Sequence, residues 1–262
     1  MSTSLDGRKI LITREENQAK EFTERVIQYG GTPIETPLLK ISCIDHDESR
    51  HYFRNINKYS WIFFTSANGV KCFFQLADKY KVDIELFQHI HLAAVGHKTE
   101  NYLKKIGLIA DFIPSIYNAD VMADEFLKKY KETDSILLVR GNRSRDVLPV
   151  ELSKQELTFD SIEVYETSYN YEIAESLNNI LLQNTLDFIT FTSPSTVEAF
   201  VEMANVNIDT ICVCIGTTTE NRARELGFTS IITAKEFTIE GMLACILQYV
   251  SSERIDYHDK KH

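Results

Sequence analysis

The chain has 262 residues, of which 44% are hydrophobic and 25% charged, a composition that supports a sizeable core and favours two domains. The formal net charge of -10 argues against broad binding of nucleic acids or anionic membranes, since both require a basic surface. No apolar stretch approaches the roughly 18 residues needed to cross a bilayer, and the N-terminus lacks signal-peptide features, so we expect a cytoplasmic protein.

Apolar runs of strand length alternate with stretches of helical periodicity along the chain. KILIT precedes a helical stretch that ends at Gly30, WIFFT precedes one that ends at Tyr80, and HLAAVG precedes one that ends at Gly107. This alternation is typical of parallel sheets flanked by helices. The last segment, SSERIDYHDKKH from Ser251, has the composition of a frayed tail.

An internal repeat runs through these elements. LITR matches LLVR, FFTS matches TFTS, AVGHKT matches CIGTTT, and DVMADEFLKKY resembles EGMLACILQYV. The offsets are 126 residues (14 to 140), 127 (66 to 193), 120 (99 to 219) and 120 (120 to 240). A nearly constant offset over four elements predicts a duplicated α/β unit.

Two further strand-like segments, residues 36–45 and 157–171, interrupt the strand-helix rhythm. Each follows the first strand-helix unit of its copy. They could pair as a two-stranded connector, with the chain leaving its first domain early and returning to it late. A boundary near residue 130, between the two copies, is the alternative. Periodicity alone leaves both open.

Metal binding and disulfide bonding are not expected. No C-x-x-C pair occurs, and most cysteines lie inside apolar runs, so all five are predicted to be reduced core residues: Cys43, Cys72, Cys212, Cys214 and Cys245. Cys212 and Cys214 fit a strand that faces one core. His89 and His91 could share one face of a strand, but no carboxylate accompanies them in the same pattern, so we predict no metal site.

Small polar residues follow several of the predicted strands, where parallel α/β sheets bind ligands. A helix N-terminus at this position offers unpaired N–H groups and a partial positive charge, which suit carboxylate or phosphate oxygens. The alternative is simple N-capping of the helices. The predicted ligand-binding residues are Thr13, Arg14, Ser66, Asn68, Gly96, Thr99, Arg140, Gly141, Ser193, Gly216, Thr218 and Thr219.

Two further side-chain types could take part. Guanidinium groups make forked contacts with carboxylates, although a surface ion pair explains an arginine equally well; the candidates are Arg14, Arg140, Arg143 and Arg145. Tyr165 lies in the proposed connector and is a candidate for a cleft, whereas an isolated tyrosine more often packs in a core or at its rim.

Common catalytic motifs are missing from the sequence. It contains no G-x-G-x-x-G, Walker loop or G-x-S-x-G elbow, and we assemble no Cys-His or Ser-His-Asp pattern. Catalysis should therefore depend on positioning and on the reactivity of the substrate. Two alternatives are a non-catalytic two-domain protein that binds a polyanionic small molecule, and a phosphate- or nucleotide-dependent transferase.

Seven segments, in this order, resemble the uroporphyrinogen-III synthase family: ILITRE, WIFFTSANGV, LAAVGHKTENYLKKIGL, ILLVRGNRSRDVLP, VYET, ITFTSPSTVEAF and CIGTTTENRARELGF. Members of that family have two flavodoxin-like or Rossmann-like parallel-sheet domains, a two-stranded connector and a substrate cleft between the domains. The resemblance therefore implies a discontinuous first domain, residues 1–36 with 170–262, a second domain of residues 45–157, and connector strands at 37–44 and 158–169.

The resemblance also implies an activity. The family cyclises hydroxymethylbilane, a linear tetrapyrrole with eight carboxylates, to uroporphyrinogen III with inversion of ring D and loss of water, and it uses no cofactor. We accordingly expect a cofactor-independent lyase that acts as a monomer. Its partners would be this polycarboxylate substrate and, in a transient handover, hydroxymethylbilane synthase.

Residue roles follow from the same resemblance. Tyr165 matches a tyrosine beside the departing hydroxyl and is the predicted catalytic residue. Thr99 and Thr219 match polar residues that line the cleft, and Ser66 and Ser193 match the serines of the paired FTS turns. In the segment GTTTE, many relatives have a proline after the glycine and an alanine after the threonines, and this chain has neither. The resemblance therefore supports a binding role for Thr218 and Glu220 less than one for Gly216 and Thr219.

Overall fold

The computed structural model describes residues 4–130, 135–183, 185–205 and 209–259, without the side chains of residues 16–18 and 254–259. The chain divides into two compact units, residues 1–40 with 168–262 (unit 1) and residues 41–167 (unit 2). Both division points fall inside the segments predicted as connector strands. Within the described ranges, no helix is long and apolar enough to cross a membrane.

Strands and helices alternate along the chain, as the sequence predicts. The first elements are β1 (Lys9–Ile12), α1 (Glu16–Gln28), β2 (Thr32–Glu35), β3 (Leu39–Cys43), α2 (Ser49–Arg54), β4 (Trp61–Phe64), α3 (Ala67–Lys79), β5 (His91–Ala94), α4 (His97–Lys105) and α5 (Ala119–Lys129). The remaining elements are β6 (Ile136–Gly141), α6 (Val147–Lys154), β7 (Phe159–Tyr169), α7 (Ala174–Gln183), β8 (Phe188–Phe191), α8 (Pro194–Met203), β9 (Ile211–Cys214), α9 (Thr217–Glu225), β10 (Ile231–Thr233) and α10 (Ile239–Asp259).

The sheet of unit 1 has the strand order β2-β1-β8-β9-β10, and all of its strands are parallel. Alternate residues of β1 enter two different cores, since successive side chains of a strand point to opposite faces. Ile10 and Ile12 pack with Phe22 of α1, whereas Leu11 packs with Phe200 of α8. The sheet is therefore covered by helices on both faces, as the near-continuous apolar strands indicate.

The sheet of unit 2 has the strand order β3-β7-β6-β4-β5, and its last four strands are parallel. The amide of Ile44 donates to the Val164 carbonyl at 2.9 Å, and the amide of Asn170 donates to the Leu38 carbonyl at 2.9 Å. These bonds join residues in opposite chain order, so β3 and β7 are antiparallel. The two predicted connector segments thus pair with each other, but β7 also pairs with β6.

The internal repeat is confirmed by the topology. The LITR strand β1 lies beside the TFTS strand β8, which lies beside β9; the LLVR strand β6 lies beside the FFTS strand β4, which lies beside β5. Even the outermost strand β10 has a counterpart, because Phe112 forms a parallel bridge to Ala93 of β5. The spatial order is the same in both units, although the chain enters unit 2 at a different strand.

The prediction that all cysteines are reduced is wrong for two of the five. Cys43 at the end of β3 forms a disulfide with Cys72 of α3, and their Cα atoms are 5.2 Å apart. This disulfide was not predictable from the sequence, because the two residues are 29 positions apart and meet only through the fold. Cys212, Cys214 and Cys245 are free. Since disulfides are uncommon in reducing compartments, a cytoplasmic location stays a prediction.

Two elements differ from the sequence expectation. β2 was not predicted; it is a four-residue edge strand that contains Pro33, and proline lacks the N–H that an interior strand must donate. The segment from Ser251 was predicted to be a frayed tail, but α10 continues to Asp259. Glu253 forms an ion pair with Arg8 at 2.7 Å and so attaches this part of the helix to unit 1. Residues 260–262 lie outside the described residues.

Candidate active site

A pocket of about 340 Å³ opens at the carboxyl ends of the unit 2 strands. Four turns contribute to it: those after β4 and β5, the one before α5, and the one that joins β6 to α6. Its lining includes Ser66, Tyr117, Arg140, Arg143, Arg145 and Tyr165. The pocket therefore combines hydroxyl donors, aromatic rings and guanidinium groups at the edge where parallel sheets bind ligands.

A β-bulge places Tyr165 over this pocket. Arg140 of β6 lies opposite Glu163 of β7, but the next residue, Gly141, lies opposite Tyr165, so β7 advances by one extra residue. Bulges re-aim side chains and occur near active sites. The amide of Asn142 donates to the Tyr165 carbonyl at 3.1 Å and holds the shifted register.

The ring of Tyr165 lies directly on the backbone of Gly141. A Cβ atom at position 141 would be 2.3 Å from Cζ of the ring, and one at position 69 would be 3.8 Å from Cε1. A contact of 2.3 Å is impossible, so residue 141 must be glycine if the ring is to stay in place. The predicted binding residue Gly141 thus leaves the space in which the Tyr165 ring packs.

Ser66 connects Tyr165 to the first turn of α3. The Gly69 amide donates to Ser66 Oγ at 3.0 Å, and Ser66 Oγ donates to Tyr165 Oη at 3.0 Å. Because Oη accepts from Ser66, the phenol keeps its own proton for another acceptor. Among the described residues, we find no hydrogen bond in which the Tyr165 hydroxyl is the donor. The half-buried phenol can therefore donate to a ligand in the pocket.

The arginines give the pocket a positive lining. The side chain of Arg140 is only 14% exposed; its Nη2 donates to the Ser144 carbonyl at 2.9 Å and to Asp146 Oδ1 at 2.6 Å. Arg145 is exposed and has a long contact of 3.8 Å with Asp120. Arg140 is held in place by its partners, whereas Arg145 is held weakly and can turn toward an anion.

The corresponding edge of unit 1 contains Thr13, Arg14 and Ser193. Thr13 is fully buried, and its hydroxyl donates to the Thr190 carbonyl at 2.6 Å, which joins β1 to β8. Arg14 is half-buried, and this burial lowers the pKa of its guanidinium. Ser193 caps α8 in a capping box with Thr196, and Pro194 follows it. The capping interpretation therefore applies to Ser193, as it does to Ser66.

The remaining predicted residues lie in first helical turns. Gly96 and Gly216 are the N-caps of α4 and α9, and Thr99 and Thr219 are buried three residues further on. Asn68 is half-buried in the first turn of α3, and Thr218 is exposed. Glu220 accepts from Thr233 at 2.7 Å and pairs with Arg224, and these hydrogen bonds lower the pKa of its carboxyl.

The metal-binding alternative receives no support from the described residues. His89 ends a 3₁₀ helix and His91 begins β5, so the assumption that both lie on one strand was wrong. Cys212 and Cys214 are buried on β9, where each packs into the same core, as predicted. In the part of the chain that the structure describes, no group of three or more His, Cys, Asp or Glu side chains could hold a metal ion.

Comparison with known proteins identifies the family. The family model described as uroporphyrinogen-III synthase HemD matches residues 20–244. The porphyrin biosynthesis protein HemD of Ruminiclostridium josui is 30% identical over 95% of this chain, which spans only 50% of that relative's length. The chain belongs to the uroporphyrinogen-III synthase family.

Other members support this assignment. Uroporphyrinogen-III synthase of Chlorobaculum parvum is 29% identical over 83% of this chain and 89% of its own length. The crystal structure of uroporphyrinogen-III synthetase from Helicobacter pylori has the same fold, with a TM-score of 0.67 at 20% identity, over 92% of this chain and 99% of that one.

Sequence reasoning missed two aromatic residues of this uroporphyrinogen-III synthase family member. Tyr117 lines the pocket of unit 2, and Phe237 occupies the equivalent place in unit 1. Their positions differ by 120 residues (117 to 237), the same offset as Thr99 and Thr219. A search for aromatic residues at the repeat offset would have found them.

Proposed function

We propose that this protein converts hydroxymethylbilane to uroporphyrinogen III, with loss of water and inversion of ring D. The observation that carries the proposal is the Tyr165 phenol, which Ser66 anchors at 3.0 Å in a pocket lined by arginines. Membership of the family suggests the reaction. The pocket contains a proton donor next to arginines that can bind carboxylates. We assign the reaction to the lyases.

The proposed chemistry begins at the hydroxymethyl group of the substrate. A pyrrole nitrogen pushes its electron pair toward this group, the C–O bond breaks, and the hydroxyl leaves as water with the proton of Tyr165. A delocalised azafulvenium cation remains, and the substituted α-carbon of ring D bonds to its methylene carbon. The bond from this ring D carbon to the methylene of ring C then breaks and re-forms at the free α-carbon of ring D, which inverts the ring. The closing ring later loses a proton, which returns to the phenolate. Because the pyrrole supplies the driving force, we propose that no cofactor is needed.

Inversion of ring D is a problem of positioning. We propose that acetate and propionate groups are bound by the arginines of the unit 2 pocket and by first helical turns of both units. Oriented binding of this kind contributes to catalysis because it fixes the reacting carbons before the bond forms. Thr99, Thr219 and Ser193 would each contribute one of many contacts, so we expect binding to be distributed over several residues.

We also propose the domain arrangement that the family resemblance implies. Residues 1–36 with 170–262 would form one domain and residues 45–157 the other, with connector strands at 37–44 and 158–169. The pairing of β3 with β7 supports this proposal. A chain that passes twice between domains gives few covalent restraints on their relative motion.

Incubation with freshly prepared hydroxymethylbilane tests the function. We expect the protein to yield the type III isomer, whereas unbound bilane closes to type I, so the isomer ratio after oxidation to porphyrins is the measurement. Enzyme in excess over substrate keeps the uncatalysed background low. A sample that binds the bilane but leaves only type I would show a binding protein and would contradict the proposal.

A further inference from the structure

Two exposed aromatic residues occupy equivalent positions in the two units. Tyr117 directly precedes Asn118, the N-cap of α5, and Phe237 directly precedes Thr238, whose hydroxyl accepts from the Gly241 amide at 3.0 Å at the start of α10. Tyr117 is 52% exposed and Phe237 is 69% exposed. A lone exposed aromatic residue is unremarkable, but two at the same offset in a duplicated fold require a common cause.

Each ring lies on a glycine that caps a neighbouring helix. A Cβ atom on Gly96 would be 3.0 Å from Tyr117 Cβ, and one on Gly216 would be 2.6 Å from Phe237 Cδ1. The φ angles of Gly96 and Gly216 are -171° and -175°, an extended conformation open to any residue. The ring of Phe237 therefore requires a glycine at position 216, whatever the backbone conformation, whereas a Cβ atom at position 96 would crowd Tyr117 at its Cβ and Cγ atoms, 3.0 and 3.1 Å away.

The position of the rings points toward a ligand. Phe237 follows the carboxyl end of β10, and Tyr117 follows the bridge that Phe112 forms at the equivalent place in unit 2. Tyr117 also lines the same pocket as Tyr165 and Arg140. The ring of His97 packs edge-on against Tyr117 at 4.7 Å between centroids and leaves half of the tyrosine exposed. Apolar rings fixed in this way, and still exposed, lose little conformational freedom when a second planar group covers them.

We propose that Tyr117 and Phe237 bind pyrrole rings of the tetrapyrrole through the faces of their own rings. This inference rests on the proposed function. A polycarboxylate tetrapyrrole needs apolar contacts for its rings as well as partners for its carboxylates, and the first helical turns supply only the latter.

Substitutions that keep or remove each ring test the proposal. We expect KM to rise on the order of 10-fold in Tyr117→Ala and in Phe237→Ala, with kcat within about 2-fold of the wild type, because stacking contributes equally to ground state and transition state. Tyr117→Phe and Phe237→Tyr keep the rings and should retain the wild-type KM. The Kd for uroporphyrinogen III, measured by calorimetric titration under anaerobic conditions, should change in parallel with KM.

Two exposed apolar residues near the amino ends of the strands, away from the proposed binding site, provide controls. Ile109 is 75% exposed and precedes Phe112, and Leu182 is 70% exposed at the end of α7, before β8. Ile109→Ala and Leu182→Ala should leave KM and Kd unchanged. An unchanged KM and Kd in Tyr117→Ala and Phe237→Ala, with the wild type active, would refute the aromatic contacts and leave the proposed function standing. An inactive wild type would refute the proposed function.

The glycines allow a second test that is independent of removing the rings. Gly216→Ala would push Phe237 aside, because the added Cβ atom would lie 2.6 Å from Phe237 Cδ1, and should raise KM by itself. In the double variant Gly216→Ala/Phe237→Ala the ring atoms that the methyl group would meet are gone, so the double variant should be no worse than Phe237→Ala. Fully additive effects would mean that Gly216 acts on the substrate directly, and would overturn the assigned role of the ring.

Discussion

The paired serine turns show how the two units of this duplicated fold differ. Ser66 and Ser193 both follow a buried strand and both cap the next helix. In unit 2 the Ser66 hydroxyl donates to Tyr165, whereas in unit 1 the Ser193 hydroxyl contacts Ser195 at 3.0 Å within its own turn. The same local structure thus anchors a reactive group in one unit and only a helix in the other.

Two glycines explain the difference. Gly69 and Gly141 of unit 2 correspond to Thr196 and Glu15 of unit 1 at the repeat offsets. Thr196 fills its position with a hydroxyl that completes the capping box, while Gly69 and Gly141 leave room for the ring of Tyr165. The two units have equivalent strand ends, and two glycines leave room for a phenol at one of them.

Filling the space beside the Tyr165 ring should reduce activity more than any other change considered below. Gly141→Ala places a Cβ atom 2.3 Å from the Tyr165 ring, so the phenol must move by about 1 Å or more. We expect kcat/KM for type III formation to fall by about 10³-fold, since a displacement of this size alone can cost about 10²-fold and the proton donor is lost with it.

A double variant provides the control for Gly141→Ala. Removal of the ring in Tyr165→Ala leaves space for the methyl group, so Gly141→Ala/Tyr165→Ala should be no less active than Tyr165→Ala. If the double variant were about 10³-fold less active than Tyr165→Ala, Gly141 would contact the substrate itself, and its role in making space for the Tyr165 ring would be wrong.

Reduction of the disulfide should affect one unit more than the other. Cys43 and Cys72 both belong to unit 2 and are 29 positions apart, so reduction should destabilise that unit by about 3.6 kcal/mol. Hydrogen exchange with and without reductant should show lost protection in α3 and β3 and little change in α8 or β9. The variant Cys43→Ser should show no response to reductant. Equal losses in both units would contradict this prediction.

The smallest effects concern the paired serines themselves. Ser66→Ala and Ser193→Ala each remove an N-cap, so each should lower the free energy of unfolding by about 1 kcal/mol. Ser66→Ala also frees the Tyr165 hydroxyl and should reduce kcat by about 10-fold, whereas Ser193→Ala should change it by less than about 3-fold. Kinetics and urea unfolding of the two variants measure both quantities. Equal losses of kcat would mean that the units share the chemistry.

The sequence predicted the scaffold better than its details, for physical reasons. The strand-helix rhythm and the repeat appear in the sequence because buried parallel strands require continuous apolar runs. β2 escaped prediction because a short edge strand with Pro33 has no such run. The Cys43–Cys72 disulfide and the helical end of α10 escaped because they depend on neighbours distant in sequence, such as Arg8 for Glu253.

The site was predictable to a similar degree. The position of polar turns after parallel strands indicated the end of the unit 2 sheet at which the pocket lies, and the family resemblance selected Tyr165. Neither signal revealed that a β-bulge and Gly141 hold the ring, since register shifts arise from strand pairing. Thr13 was predicted to bind ligand, but its buried hydroxyl is bonded to the Thr190 carbonyl, so its contact with a substrate has only the sequence in its favour.

The variant Tyr165→Phe shows whether unit 2 carries the proton donor. This variant keeps the ring on Gly141 and removes only the hydroxyl. In single-turnover reactions with enzyme in excess, we expect the rate of type III formation to fall on the order of 10 to 10³-fold, with the type III isomer retained because ring inversion depends on how the substrate is held. A correctly folded Tyr165→Phe variant with the wild-type rate would show that the Tyr165 phenol is not the proton donor.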